Sequence, residues 1–237
     1  MVLQDRFHEL LVRAAAELYQ DNRHRMDRPD LIPTPNVIDS NDLELFFEGL
    51  ERGLISLERG GKFNTLDRPV SGGHWSLLSR RPHGGWYNAE YLPQLAAYVE
   101  LIRRLGYPAD RVLFELPPHS LQLDLAVITD AATVVVLGEA KRAAGMLDSL
   151  AYAVRQRFSQ GPPGEETKRR GDEARQLASR LWRTRTTYLW LVGPGVRHAY
   201  HCSYDPLTLH SIPSLPTAST LGLAQPPPNP LGPPPLV

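Results

Sequence analysis

Asp124, Glu139 and Lys141 are the residues of this chain whose types and spacing point most directly to chemistry. They lie in the stretch 121–141, LQLDLAVITDAATVVVLGEAK. Leu121, Leu123, Leu125 and Val127 alternate with Gln122, Asp124 and Ala126, the period-2 pattern of a half-buried strand. Past a turn at Thr129-Asp130-Ala131-Ala132, the apolar, β-branched run Thr133 to Leu137 predicts a central strand that ends in Gly138-Glu139-Ala140-Lys141. Side chains alternate across a strand, so Glu139 and Lys141 share a face, and pairing of the two strands brings Asp124 to it. Buried charges are costly unless they pair with one another or hold a metal. The two carboxylates, with the Ala140 carbonyl, are hard oxygen donors of the kind Mg²⁺ prefers. A lysine beside them orients or deprotonates a water and stabilises charge growing on a phosphate. The plain alternative is an exposed Glu–Lys pair at a strand end, with Asp124 facing solvent.

The elements that would position these residues are legible on either side. Residues 4–20 carry Phe7, Leu10, Leu11, Ala14 and Leu18 at helical spacing. A polar, Pro-rich loop follows over 21–40. A second helix is expected from Asp42 to about Glu58, capped by Ser40 or Asn41 and stopped by Gly60-Gly61. The segment 71–88 mixes glycine, arginine, histidine and aromatics. It reads either as a substrate-contacting loop or as a packed connector with Trp75 and Trp86 buried. Residues 89–105 form a helix that begins at Glu90 and tolerates Pro93 in its first turn. Gly106-Tyr107-Pro108 stops it, and a strand follows over 111–116.

Beyond Lys141 the pattern predicts a helix over 144–159, a break at Gly161-Pro162-Pro163-Gly164, and a second helix over 165–185. That second helix carries seven basic residues, Lys168, Arg169 and Arg170 among them, which with Arg142 are the candidates for neutralising a nucleic-acid backbone. Glu165, Glu166, Asp172 and Glu173 are interleaved, so a solvated, charge-mixed face is an equal reading. Strands are expected over 187–192, 196–204 and 207–212. His198 and His201 point to opposite faces of a strand and make poor joint metal ligands. From Pro213 the chain is low in complexity, with nine prolines, and reads as a disordered or polyproline tail suited to a proline-reading partner.

The order helix, strand, strand with Asp124, strand ending in Glu139-Ala140-Lys141 resembles the PD-(D/E)XK nuclease superfamily. With Leu105-Gly106-Tyr107-Pro108 between helix and first strand, it is most similar to the N-terminal nuclease domain of type I restriction enzyme motor subunits and stand-alone relatives. The likeness covers about 88–160 and, more weakly, 186–202. It implies an α/β, restriction-endonuclease-like fold, a mixed central sheet flanked by helices. Around it are expected a helical N-terminal region (1–70), the nuclease-like domain (71–212) and the Pro-rich tail (213–237). It implies Asp124 and Glu139 as metal-binding acids, Lys141 as the catalytic lysine and Glu90 as the acid on the first core helix. Glu115 stands where such domains often have a further glutamate. The cofactor implied is Mg²⁺, with Mn²⁺ as substitute, and the reaction is hydrolysis of DNA that leaves a 5′-phosphate, in restriction or antiviral defence. Leu123 replaces the proline of the nominal motif. No motor region follows, so any translocation is expected to come from another chain or to be absent.

Composition narrows the alternatives. The 237 residues have zero formal net charge, so any DNA-binding face is local. Only three of the 26 basic residues are lysines, which makes one at the motif position informative. The single cysteine excludes a disulfide framework and fits a cytoplasmic setting. No run reaches membrane-spanning length. There is no P-loop, no dinucleotide-binding glycine pattern after a strand and no nucleophile elbow. A second class stays open: a non-cleaving nucleic-acid-binding or assembly module in a larger complex, contacted through the N-terminal helices or the Pro-rich tail. RNA in place of DNA, and a homodimer, stay open too.

Overall fold

The computed structural model describes residues 2–20, 38–66, 75–81, 84–115, 123–164 and 171–223. Two amphipathic helices open the chain, α1 (Leu3–Gln20) and α2 (Ser40–Glu51). The cap of α2 is Asp39, whose side chain accepts from the Asp42 N–H at 3.0 Å, rather than Ser40 or Asn41. The helix also stops well before Glu58. Gly53 takes the left-handed conformation (φ +70) and Leu54 N–H returns to Gly49 O, a closure that glycine favours.

Short strands follow, the first of them inside the span expected to be helix and the last three within or beside the segment expected to be a loop or connector. β1 (Ile55–Leu57), β2 (Lys62–Thr65) and β3 (Trp75–Ser76) form a small antiparallel sheet, and β4 (Leu78–Arg81) with β5 (Gly84–Tyr87) a hairpin. Trp75 stacks on Phe63 and meets Phe114 edge-on, as a packed connector would. The Trp86 side chain lies outside what is described. Because β3 pairs with β2, the chain on either side of residue 70 shares one sheet.

The main sheet has six strands flanked by helices. After α3 (Tyr91–Arg103) come β6 (Val112–Phe114), β7 (Leu125–Ile128) and β8 (Val134–Ala140), paired antiparallel in succession. Then α4 (Gly145–Phe158) and α5 (Glu173–Thr184) carry the chain to β9 (Tyr188–Gly193), which lies parallel to β8. A parallel neighbour requires such a crossover. β10 (Val196–Ser203) and β11 (Thr208–Ile212) complete the order β11-β10-β9-β8-β7-β6.

Alternation along β8 separates two cores. Val136 and Ala140 belong to the core that α1, α2 and α3 also line, whereas Leu137 belongs to the one lined by α4 and α5. Gly138 is the exception to a β-branched run. A Cβ there would stand 2.6 Å from Leu125 Cβ, so the β7–β8 approach needs the glycine. Gly138→Ala is expected to destabilise the protein by about 1–3 kcal/mol, measurable as a lower denaturant midpoint; an unchanged midpoint would contradict the close packing.

The expectation of disorder from Pro213 onward needs correction. Leu215 and Ala218 are buried, Tyr107 Oη donates to Pro216 O at 2.7 Å, and Ala218 N–H donates to Leu105 O at 2.8 Å. Leu221 and Leu223 pack against the same core. Apolar anchors spaced among the prolines dock this stretch, a signal that composition averages away. Residues 224–237 lie outside the described part. Among the described residues no helix is long and apolar enough to cross a membrane.

Candidate metal-dependent hydrolytic site

The site grows from the open end of the β7–β8 ladder. Leu125 pairs with Gly138, so one step further Asp124 stands opposite Glu139. Asp124 turns its carboxylate across the ladder to accept the Ala140 N–H at 2.7 Å. N–H and C=O of one strand residue face the same side, so the Ala140 carbonyl faces this end as well. The Asp124 backbone carbonyl accepts from Glu115 N–H, at 2.9 Å, and from Gln94 Nε2, also at 2.9 Å. Gln94 is buried on α3 and spends its second N–H on Glu115 Oε1 at 3.0 Å. One amide thus ties the ends of β6 and β7 to α3.

Glu139 and Lys141 point to the face covered by α5. Both are almost fully buried, at 4% and 6% exposure. Glu139 Oε1 accepts from Lys141 Nζ at 2.9 Å, and Glu139 Oε2 accepts from Arg180 of α5. Lys141 Nζ also lies 3.8 Å from Glu90 Oε1 and 3.7 Å from Glu173 Oε2. Glu90 is the N-cap residue of α3 but makes no capping bond with its side chain, which leaves its carboxylate to the site.

Asp124, Glu139, Lys141 and Glu90 are therefore brought together. Arg142 is exposed just beyond them. Lys168, Arg169 and Arg170 lie outside the described residues. Sequence reasoning passed over Gln94, Glu173 and the site-facing role of Arg180. Gln94 follows Glu90 by four residues and Arg180 follows Glu173 by seven, helical spacings that put each pair on one face. His198 pairs with Asp148 at 3.1 Å and His201 packs on Tyr188, so each has a local role. Burial pushes the Cys202 thiol up to about 12, which excludes it as a thiolate nucleophile at neutral pH.

Charge in the site is lopsided: carboxylates of Asp124, Glu139, Glu90, Glu173 and Glu115 surround Lys141 and Arg180. Burial, then the negative charges of Glu139 and Glu115, hold the Asp124 carboxyl well above its ordinary value, against the pull of the Ala140 N–H and Arg180. Burial also raises Glu90; Lys141 opposes the shift, while Glu139, Glu173 and Glu115 reinforce it. Burial works against the Lys141 ammonium, yet the Glu139 carboxylate and its hydrogen bond, with Glu90 and Asp124, outweigh it and raise the pKa.

The folded Asp124 carboxyl binds its proton more tightly than the unfolded one. Stability therefore falls as pH rises from the ordinary carboxylate range through the raised folded value. Asp124→Asn keeps an oxygen for the Ala140 N–H and removes the charge. It is expected to melt above the unsubstituted protein at neutral pH without added metal, and the gap closes at acid pH where Asp124 is itself protonated. Melting curves across pH test this; an Asn variant that melts lower at neutral pH would contradict it.

Among the described residues no group of three or more His, Cys, Asp or Glu side chains is placed to hold a metal ion. The donor set in question is different: two carboxylates and one carbonyl, all hard oxygens, in a buried region where, among the described residues, acids outnumber cations. It fits Mg²⁺ in ligand type. Compared with protein-family models, curated proteins and solved structures, the chain shows no significant match to any of them.

Proposed function

We propose that this protein is a metal-dependent nuclease of the PD-(D/E)XK type that hydrolyses DNA phosphodiester bonds, in a restriction or antiviral setting. The observation that carries the reading is the convergence of Asp124, Glu139, Lys141 and Glu90 at one open end of the β7–β8 pair. The element order α3-β6-β7-β8-α4-α5-β9 supports a restriction-endonuclease-like fold.

Asp124, Glu139 and the Ala140 carbonyl are the groups that would hold Mg²⁺. When bound, the ion supplies Lewis acidity toward the scissile phosphate and toward a water. Lys141, held as an ammonium, donates to the attacking water and offsets charge on the phosphate. Glu90, partly exposed and with its carboxyl raised by burial, would take the proton of that water at Oε1. Gln94 keeps Asp124 in register.

One observation favours the second reading, a non-cleaving nucleic-acid-binding module: both Glu139 oxygens are already paired, with Lys141 and Arg180. Incubation with supercoiled circular and single-stranded DNA, under Mg²⁺, Mn²⁺ or EDTA, separates the two. The nuclease reading expects nicking or degradation with either ion and none with EDTA. Binding without cleavage under every condition would leave the second reading standing.

A further inference from the structure

We infer that Arg180 is a positioning residue that holds Glu139 and competes with a divalent cation for it. The inference rests on the metal-dependent reading above and adds a control on how the site loads. Glu139 is buried with one oxygen on Lys141 and the other on Arg180, so a cation that binds both oxygens competes with both hydrogen bonds. Lys141 has acids to turn to, Glu90 at 3.8 Å and Glu173 at 3.7 Å, but it stands only two residues along the chain from Glu139, just past the end of β8, and in the proposed reaction has a role of its own. Arg180 comes from a different element. Its helix is fixed by Ala174, Leu177, Ala178 and Leu181, all buried, so what moves is the long side chain rather than α5.

A guanidinium presents a planar fork of donors that matches a phosphate as well as a carboxylate. A phosphodiester entering the site therefore offers Arg180 a second acceptor and frees Glu139 for the ion. Binding of the anion and of the cation then assist each other, and by linkage each raises the affinity of the other by the same factor. In the absence of nucleic acid the ion is held weakly.

The test is Mn²⁺ binding to the full chain without nucleic acid, followed by calorimetry or by loss of the free-ion electron paramagnetic resonance signal. Arg180→Met and Arg180→Gln are two independent neutral variants, each checked for fold by circular dichroism. Both are expected to bind Mn²⁺ about tenfold tighter than the unsubstituted protein, equivalent to ~1.4 kcal/mol. Arg183→Met, which removes the same charge from an exposed position on the same helix, is expected to leave the affinity unchanged. Adding Glu139→Gln to Arg180→Met is expected to abolish the gain. Equal or weaker Mn²⁺ binding in the Arg180 variants would overturn the inference while leaving the metal site intact. So would an equal gain in Arg183→Met, which would make the effect one of general charge. Absence of Mn²⁺ binding in every form would overturn the metal-dependent reading and this inference with it.

Discussion

Lys141→Met is expected to lower Mg²⁺-dependent cleavage of DNA by about 10²–10⁴-fold, the range in which a positioned proton-handling side chain contributes. Methionine fills nearly the same volume without the charge. Lys141 Nζ donates to Glu139 at 2.9 Å and lies within 4 Å of Glu90 and Glu173, so among the described residues no other cation stands at that point between the acids. Arg180 meets the opposite oxygen of Glu139 and leaves the position near Glu90 uncovered. Some loss of thermal stability is expected too, because the acids then repel without the ammonium between them. Initial rates of supercoil nicking, measured below the melting temperature of the variant, separate the two effects. Nicking at the unsubstituted rate would remove the lysine from the chemistry.

The second large effect falls on stability, far from the site. Asp42, 1% exposed on α2, accepts from Arg197 Nη2 at 2.6 Å through one oxygen and from the Gly195 N–H at 2.9 Å through the other. Arg197 also meets Glu100 of α3 at 3.1 Å and the Gly193 carbonyl at 2.8 Å. Asp42 and Arg197 together thus fasten the β9–β10 turn to α2 and α3. Removing one member of a buried, hydrogen-bonded pair costs about 3–5 kcal/mol, because the partner stays behind uncompensated. Asp42→Ala is expected to lose that much in chemical denaturation, and Asp42→Asn, which keeps an acceptor for Gly195, to lose less. A loss under about 1 kcal/mol would show that the pair contributes no more than an exposed one.

The strands of the main sheet were legible because their patterns are strong. The β-branched run before Gly138 and the sequence Tyr188 to Val192 cannot form amphipathic helices, and both became central strands. The two- to four-residue strands between Ile55 and Tyr87 were not legible, because pairs that short leave no periodicity to detect. The end of α2 was missed because the later Gly60-Gly61 was read as the stop, while Gly53 alone ended the helix. Within the site, Asp124, Glu139 and Lys141 were readable because strand alternation and one ladder fix their relations. Gln94, Glu173 and Arg180 were not, since their approach depends on how α3 and α5 rotate about their axes as they dock. Spacing places Glu90 with Gln94 on one helix face; only the packed helix shows that the face meets Asp124. The packing of Leu215 and Ala218 was hidden in the same way, by prolines that dominate the composition around them.

The most direct measurement is supercoil nicking by Asp124→Asn in Mg²⁺, beside the unsubstituted protein and with circular dichroism on both. The substitution spares the hydrogen bond to Ala140 and removes one of the two carboxylates that would hold the ion. The metal-dependent account predicts a folded variant that has lost Mg²⁺-dependent nicking. A folded Asp124→Asn protein that nicks at the original rate would contradict it.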